Sequence, residues 1–217
     1  NQLVEEFLRL VSELRPRMFL LENVPGLVGK RGSSITNRLS EWSEQTNYQV
    51  TWRLLNARDF GVAQNRKRIF MVGIIGRKTD LERLEPIFSP LDDVNKELTI
   101  RDKIFDLQDD SQNIGIPNQI HANLAPINLE RLQYIRPGEG RNVLPERLKL
   151  PTQRRHADNG HVETYGRLMW DEAAPTLTTS FHSISKGRFA HPSQDRGLSL
   201  REGARLQGFP DHFEFMG

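Results

Sequence analysis

The sequence predicts an α/β protein whose chain forms part of a layered sheet, makes an irregular insertion and returns to regular structure near its end. Three observations favour this class. Helical and strand periodicities alternate over the first 75 residues, which is typical of a layered α/β sheet. Residues 86–191 are rich in Pro, Gly, Asn and Asp, the residues of loops and turns. Helical periodicity resumes at residues 200–207.

The first part of the chain contains five predicted elements. Apolar residues at i, i+3 and i+4 spacing indicate amphipathic helices, and short apolar runs indicate buried strands. Strict alternation of apolar and polar residues indicates a half-buried strand. In chain order these patterns predict a helix over residues 3–14 that Pro16 ends, a buried strand over 17–22, a helix over 33–46, an alternating strand over 48–54 and a buried strand over 69–75.

The remaining sequence predicts fewer regular elements. Short helices are expected within residues 97–107 and 129–135, with loops and short strands between them. Ser199 and Glu202 have the spacing of a capping box, in which each side chain satisfies a free N–H of the first helical turn. The helix over 200–207 should end at Gly208. The expected organisation is an α/β part over residues 1–85, an irregular domain over 86–190 and a returning helical segment over 191–217.

Composition excludes several classes of protein and site. Apolar residues make up 36% and charged residues 27%, as in globular proteins, and no run of 18 apolar residues predicts a membrane span. The chain has no cysteine, which excludes a disulfide scaffold, a cysteine-ligated metal and a cysteine nucleophile within it. Net charge is only +2, but 23 of the 30 basic residues are arginine. Arginine suits phosphates and guanine edges, although a bias in composition explains the arginine excess equally well. Residues 131–188 carry a modest excess of basic residues, which favours a polyanionic partner.

Two charged motifs are candidates for chemistry. Glu22-Asn23-Val24 ends a predicted strand, at the sheet edge where α/β proteins bind ligands. A carboxyl there is suited to hydrogen-bond a polar ring, although a salt-bridged glutamate fits the same pattern. Gln64, Arg66 and Arg68 alternate along a predicted strand, so they should share one face and form a phosphate or base cradle. A basic, solvated strand end is the alternative.

Hydroxyl and imidazole side chains supply weaker signals. The run from Thr176 to Ser180 contains four hydroxyls, which are able to contact DNA phosphates but are also common in turns. The histidines show no zinc-helix spacing such as His-Glu-x-x-His, so no metal site is expected. They are interpreted as surface or DNA-facing residues: His156, His161, His182 and His191.

The order of these motifs along the chain is much more specific than any motif alone. Together they resemble the C-terminal half of bacterial DNA cytosine-5 methyltransferases, from a Glu-Asn-Val block to an Arg-Glu-x-Ala-Arg-Leu-Gln block. The blocks that carry the resemblance are Phe19-Leu-Leu-Glu-Asn-Val-Pro-Gly26, Asp59-Phe-Gly-Val-Ala-Gln-Asn-Arg-Lys-Arg-Ile-Phe-Met-Val-Gly73, Ala174-Pro-Thr-Leu-Thr178 and Leu198-Ser-Leu-Arg-Glu-Gly-Ala-Arg-Leu-Gln-Gly-Phe-Pro-Asp211.

The resemblance implies a fold and an activity. The fold would be a partial Rossmann-like, S-adenosylmethionine-dependent methyltransferase sheet, with a mainly β and loop target-recognition domain inserted over residues 86–190. The partner would be double-stranded DNA, from which the family flips a cytosine and methylates its carbon 5. The resemblance also implies a bacterial, cytoplasmic, nucleoid-associated protein of restriction–modification type, with no metal.

The resemblance assigns roles to residues of this sequence. Glu22 matches the glutamate that bonds cytosine N3 and its exocyclic amine, and Arg68 matches the arginine that contacts cytosine O2 and a nearby phosphate. Supporting roles fall to Asn23, Gln64 and Arg66, with Arg66 also toward DNA. DNA-backbone contacts fall to Thr176 and Thr178, and the organisation of the recognition domain to Arg201, Glu202 and Arg205.

Departures from the family pattern limit what this chain is expected to do alone. Neither the Phe-x-Gly-x-Gly cofactor loop nor the Pro-Cys nucleophile is present. The expectation is a fragment, inactive by itself, whose missing N-terminal catalytic half acts in cis or in trans and binds most of the S-adenosylmethionine. One subunit of a split methyltransferase and a non-catalytic, sequence-specific DNA-binding module are the alternatives.

Overall fold

The computed structural model describes residues 2–28, 33–90, 97–108, 115–151 and 164–216. It divides into two compact units. The first unit comprises Asn1–Phe60 and Lys67–Val94, and the second comprises Gly61–Arg66 and Asn95–Gly217. The chain therefore leaves the first unit for residues 61–66, which belong to the second unit, and returns to the first unit at Lys67.

The first unit contains the predicted order of helices and strands. The helix over Ser33–Thr46 has the predicted limits, and the other elements differ from their predicted limits by a few residues. The elements are α1 (Gln2–Leu14), β1 (Met18–Asn23), α2 (Ser33–Thr46), β2 (Tyr48–Asn56), β4 (Lys67–Ile75) and α3 (Lys78–Glu82), with 3₁₀ turns at Pro25–Leu27, Ala57–Phe60 and Glu85–Phe88.

The three strands of the first unit form an antiparallel sheet in the order β1-β4-β2. Helices α1 and α2 cover one face, where Trp42 stacks on Tyr48 with ring centroids 5.2 Å apart and donates its indole N–H to Ser12 at 2.8 Å. The other face of β4 packs against α3 and the Glu85–Phe88 turn. This central position explains why residues 69–75 read as a nearly continuous apolar run.

The prediction that the first strand is buried on both faces is wrong in the described structure. Phe19 is only 6% exposed, whereas its neighbours Met18 and Leu20 are 56% and 57% exposed. The reason is that β1 is an edge strand in the described sheet, and the cluster formed by α3 and the Glu85–Phe88 turn covers β4 instead. An apolar run by itself does not distinguish a central strand from an edge strand.

The second unit is irregular, as the sequence predicts for most of its length. Its helices and strands are short, and two pairs of strands form parallel ladders, β3 with β6 and β5 with β7. The elements are β3 (Gln64–Asn65), α4 (Ile100–Ile104), α5 (Pro126–Tyr134), β5 (Gly166–Arg167), β6 (Ala174–Pro175), β7 (Arg188–Ala190) and α6 (Leu200–Leu206), with 3₁₀ turns at Phe105–Gln108, Arg141–Val143, Glu146–Leu148 and Ile184–Lys186.

Buried arginines replace regular hydrogen-bond ladders in this unit. Arg167 is almost fully buried and donates to the carbonyls of Leu132, Ile135, His191 and Gln194 and to the Asp195 carboxylate. The Leu132 carbonyl lies in the last turn of α5 and also accepts from the Ile135 amide at 3.2 Å, whereas the other three carbonyls lie outside helices and strands. An unsatisfied buried acceptor would cost about 1–3 kcal/mol. One guanidinium thus connects several loops.

The capping box at the last helix is confirmed. The Ser199 hydroxyl accepts from the Glu202 amide at 3.0 Å, and the Glu202 carboxylate accepts from the Ser199 amide at 2.7 Å. Gly208 follows the helix with a φ of +86°, a conformation that favours glycine. The helix and residues 191–217 lie in the second unit together with the irregular part. The domain limits 1–85, 86–190 and 191–217 themselves stay a prediction.

Candidate functional site

The first candidate site is an ion pair between β1 and β4. The antiparallel register places Glu22 opposite Phe70, so Arg68, two residues earlier on β4, lies diagonally across on the same face. Arg68 Nε lies 3.0 Å from Glu22 Oε1. The sequence thus brings these two residues together because both follow the alternation of paired strands.

The two partners of this pair differ in exposure. The Arg68 side chain is 17% exposed and the Glu22 side chain 43% exposed. Arg68 also donates through Nη1 to the carbonyl of Lys67 at 2.8 Å. These two bonds use two of the five N–H donors of a guanidinium. A partly exposed carboxylate beside a fixed guanidinium offers an acceptor and donors at one edge, which suits a planar polar ring.

Asn23 occupies the end of β1 and shapes the turn that follows. Its Oδ1 accepts from the backbone N–H of Val24 at 2.8 Å, and the chain then enters the Pro25–Leu27 3₁₀ turn. Asn side chains commonly form such local bonds to the backbone in turns. This geometry fits the supporting role that the sequence predicts for Asn23, although the role itself stays a prediction.

The prediction that Gln64, Arg66 and Arg68 lie on one continuous strand, from which their common face was inferred, is wrong. The structure contains two strands in this segment: β3 ends at Asn65, β4 begins at Lys67, and Arg66 lies between them. Strand β3 pairs with β6, whereas β4 pairs with β1 and β2. Side-chain alternation applies only within one continuous strand, so it does not extend across this break.

Gln64 is a buried polar residue of the second unit. Its side chain is 1% exposed, donates through Nε2 to the carbonyl of Leu206 at 3.4 Å and accepts through Oε1 from the amide of Leu177 at 3.3 Å. The amide therefore bonds the last residue of α6 and the residue after Thr176. A buried amide with both ends bonded is expected from the high cost of an unsatisfied polar group.

The threonines that the sequence assigns to DNA lie in a segment that follows β6. We call residues 176–180 the hydroxyl turn. Thr176 donates its hydroxyl to the Asn65 carbonyl at 2.9 Å, which extends the β3–β6 contact, and Thr178 is exposed. The turn closes through a bond from the Phe181 amide to the Thr178 carbonyl at 3.1 Å.

The three charged residues of α6 are all bound within the second unit. Arg201 is fully buried and donates to the carbonyls of Pro117, Pro210 and Phe213. Glu202 is also fully buried and receives both Nη groups of Arg196, at 2.7 and 2.8 Å. Arg205 pairs with two carboxylates, those of Asp106 and Asp211. These contacts fit an organising role.

Sequence reasoning missed a buried histidine. His191 was expected at the surface or facing DNA, but it is fully buried, whereas His182 is exposed. His156 and His161 lie outside the described residues. The His191 Nδ1 accepts from the amides of Ser193 and Gln194 at 3.3 and 3.1 Å, so the proton is on Nε2, 3.6 Å from Glu202 Oε1. No local sequence pattern around His191 predicts its burial.

Burial lowers the pKa of His191 from 6.5 to about 3, with further contributions from Arg196, Arg167 and His121. Glu202 Oε1 lies 3.6 Å from His191 Nε2 and is also paired with Arg196 at 2.7 Å. In the unfolded chain His191 binds a proton near pH 6.5, and in the folded chain it does not. The free energy of unfolding should therefore fall as the pH drops from about 6.5 toward 3.

We expect His191 to reduce the free energy of unfolding by about 2 kcal/mol between pH 7 and pH 5, because only the unfolded chain takes up its proton there. Denaturant unfolding at both pH values, compared with His191→Asn, measures this difference. Asparagine retains a hydrogen-bond acceptor but does not titrate. The fall in the free energy of unfolding between pH 7 and pH 5 should therefore be about 2 kcal/mol smaller in His191→Asn than in the wild type. The exposed His182→Asn should behave as the wild type, and identical pH dependence in all three proteins would contradict the assignment.

Two kinds of feature are absent from the described residues. No helix in the described ranges is long and apolar enough to cross a membrane. In the same part of the chain, no group of three or more His, Asp or Glu side chains is placed to hold a metal ion.

Comparison with known proteins identifies the family. The family model described as C-5 cytosine-specific DNA methylase matches residues 1–217. The Type II methylase M.HgiDII of Herpetosiphon aurantiacus is 33% identical over 99% of this chain and 60% of its own length. The Type II methyltransferase M1.HphI of Haemophilus parahaemolyticus is 32% identical over the whole chain and 54% of its own length.

Comparison with solved structures agrees. The structure of a protein described as a DNA modification methyltransferase encoded within an E. coli prophage has a TM-score of 0.67 and 25% identity, over 99% of this chain and 65% of that one. This mixed α/β structure is thus similar to that of a DNA methyltransferase. The chain spans about 60% or less of the length of the two curated relatives. By the match over its entire length, the chain belongs to the C-5 cytosine-specific DNA methylase family.

Proposed function

We propose that this chain supplies the cytosine-binding pair and the target-recognition surface of a DNA cytosine-5 methyltransferase. The observation that carries the proposal is the Glu22–Arg68 ion pair, with Nε and Oε1 3.0 Å apart at a strand end. Family membership supports the activity. The Glu-Asn-Val and Gln-x-Arg-x-Arg blocks, which the resemblance links to cytosine, are the segments that contain the two partners.

The pair matches the polar edge of a flipped cytosine. That edge has O2 as an acceptor, N3 as an acceptor and the exocyclic amine as a donor. Enzymes that act on flipped bases read this edge by hydrogen bonds. Arg68 would donate to O2, while Glu22 would accept from the amine and, when protonated, donate to N3. The Glu22 side chain is 43% exposed, so a base is able to reach it. A guanidinium has five N–H donors, which lets Arg68 bond more than one acceptor.

The chemical role of the pair is to stabilise charge. When a nucleophile adds to ring carbon 6, electron density moves onto N3 and O2. A proton from the Glu22 carboxyl to N3 and donors from Arg68 to O2 neutralise this density, and the proton returns to Glu22 when the nucleophile leaves. Donors that are fixed before the reaction are typically worth about 10²–10³ in rate.

The nucleophile and most of the cofactor site are proposed to lie outside this chain. The chain has no cysteine to add to carbon 6. S-adenosylmethionine supplies the methyl group in this family, but the pocket between α2 and β2, lined by Leu39, Ser40, Ser43, Val50, Trp52 and Met71, offers no carboxylate for a ribose. The pocket residues thus do not fit the cofactor. We propose that an N-terminal catalytic half provides both functions, in cis or in trans.

The role of Arg68 is tested by replacing it with glutamine in the complete enzyme. We expect kcat/KM for methyl transfer to fall about 10²-fold, because the variant loses the charge that stabilises cytosine O2. Arg53→Gln is the matched control, since Arg53 lies on the same face of the same sheet and pairs with Glu85 at 2.6 Å. Equal activity of the two variants would contradict the role of Arg68.

The lack of cysteine also favours a second candidate, a non-catalytic, sequence-specific DNA-binding module or one subunit of a split enzyme. Selection from a library of random-sequence duplexes, followed by a methyl-transfer assay, separates these functions. Transfer by the complete native protein supports the methyltransferase. Specific, salt-dependent binding without transfer supports the binding module. Transfer that appears only after a cysteine-containing chain is added supports the split enzyme.

A further inference from the structure

We propose that Gln64 is a positioning residue that fixes the hydroxyl turn, residues 176–180, for contact with a DNA phosphate. This inference rests on the proposed function. The proposed function has the threonines contact DNA, and the inference adds the residue that holds them in place. Three independent contacts attach the turn to β3 and α6, and Gln64 contributes the central one.

The first attachment is at the start of the turn. Strand β6 pairs with β3 in parallel register, Gln64 with Ala174 and Asn65 with Pro175. The Thr176 hydroxyl donates to the Asn65 carbonyl at 2.9 Å. The two-residue ladder and this one side-chain bond determine where the chain enters the turn. A ladder this short has little stability of its own and needs side-chain support.

The second attachment is the Gln64 amide. It bonds the Leu177 N–H, within the turn, and the Leu206 carbonyl, at the last residue of α6. Carbonyls in the last turn of a helix have no partner within the helix, so this bond satisfies one of them. Because Gln64 is only 1% exposed, water is not available to replace either bond. One buried side chain therefore connects the turn to α6.

The third attachment is at the far end of the turn. Gly203 of α6 has no side chain, and a Cβ built on it would lie 2.2 Å from Cε2 of Phe181, the residue after the turn. The Phe181 ring therefore packs directly against α6 at Gly203. The helix itself begins with the buried Ser199–Glu202 capping box. The turn is thus held at both ends, while Thr178 and Thr179 between them remain exposed.

These attachments suit a preorganised phosphate contact. Hydroxyl groups bind phosphate oxygens and fix the register of a protein on DNA. Ordering a loop before binding reduces the entropic cost of association. Replacing Gln64 with leucine should leave the exposed threonines chemically intact but remove the bonds that hold them. The expected result is a rise of about fivefold in the DNA dissociation constant of the complete enzyme, with kcat at saturating DNA nearly unchanged.

A double-mutant cycle with Thr178→Val tests the inference. If Gln64 acts through the turn, Thr178→Val weakens DNA binding in the wild type and has little further effect in Gln64→Leu. Gln64→Glu, which retains the acceptor for the Leu177 N–H, should restore part of the affinity. Leu144→Ala, in the other core cluster of the same unit, controls for general destabilisation and should leave DNA binding unchanged.

The outcomes separate this inference from the proposed function. If Thr178→Val weakens binding and Gln64→Leu does not, or if the two effects add, the positioning role of Gln64 is wrong and the function stands. If Leu144→Ala weakens DNA binding as much as Gln64→Leu, the effect is one of stability, which also overturns the positioning role. If the wild-type enzyme neither binds nor methylates duplex DNA, the proposed function fails.

Discussion

Replacing Glu22 with glutamine is expected to lower the rate of methyl transfer by the complete enzyme about 10²–10³-fold, while the DNA dissociation constant changes by less than about threefold. The amide keeps the shape of the side chain and one acceptor. Its N–H groups are able to form hydrogen bonds, but they are not acidic enough to transfer a proton to cytosine N3. The loss is therefore confined to the transition state and should appear in kcat rather than in DNA binding. Single-turnover transfer at saturating DNA and a separate binding titration measure the two quantities.

Glu85→Gln is the matched control for this prediction. Glu85 also forms an ion pair in the first unit, with Arg53 at 2.6 Å, and its side chain is similarly exposed. Removing a surface ion pair of this kind costs at most about 1 kcal/mol of stability and should not affect turnover. Near-normal turnover in Glu22→Gln, or an equal loss in both variants, would show that Glu22 has no special role.

Replacing Glu202 with glutamine is expected to lower the free energy of unfolding by about 3–5 kcal/mol. The Glu202 side chain is fully buried, accepts both Nη groups of Arg196 and caps the Ser199 amide. Glutamine leaves the mostly buried Arg196 charge without a counter-ion and replaces an acceptor with a donor. Chemical denaturation of wild type and variant at pH 7 measures the difference.

Asp171→Asn serves as the control for Glu202→Gln. Asp171 pairs with Arg101 in the same unit at 2.8 Å, but its side chain is 79% exposed. Water solvates both partners there, so the change in the free energy of unfolding should be small compared with that of Glu202→Gln. If Glu202→Gln were as mild as Asp171→Asn, the buried network around α6 would not stabilise the second unit.

The elements of the first unit could be predicted because their patterns are local. Apolar spacing predicts the helix over Ser33–Thr46 and the strand that ends at Ile75. The capping box at Ser199 could also be predicted, since its two side chains lie three residues apart. The edge position of β1 could not be predicted, because it depends on which strands pair and on which helices cover them.

The contacts of the Glu22–Arg68 pair and of Gln64 could not be predicted from local sequence patterns either. The motifs and their order predicted that Glu22 and Arg68 belong to one site, but only the sheet register shows why they meet. The partners of Gln64 lie 113 and 142 residues away, so no local pattern predicts its buried bridge. His191 was misassigned for a similar reason, because its burial depends on segments distant in sequence.

The central claim is that Glu22 and Arg68 bind the polar edge of a flipped cytosine. The most direct test compares single-turnover methyl transfer to target cytosine and to 2-pyrimidinone, which lacks the exocyclic amine, for the wild type and Glu22→Ala. Intrinsic reactivity differences between the bases cancel in this cycle. A hydrogen bond to a charged group is worth about 10-fold or more in rate, so the cytosine-to-pyrimidinone ratio should fall at least that much in the variant. The same ratio in both proteins would show that Glu22 does not accept from the exocyclic amine, which would contradict the assigned contact.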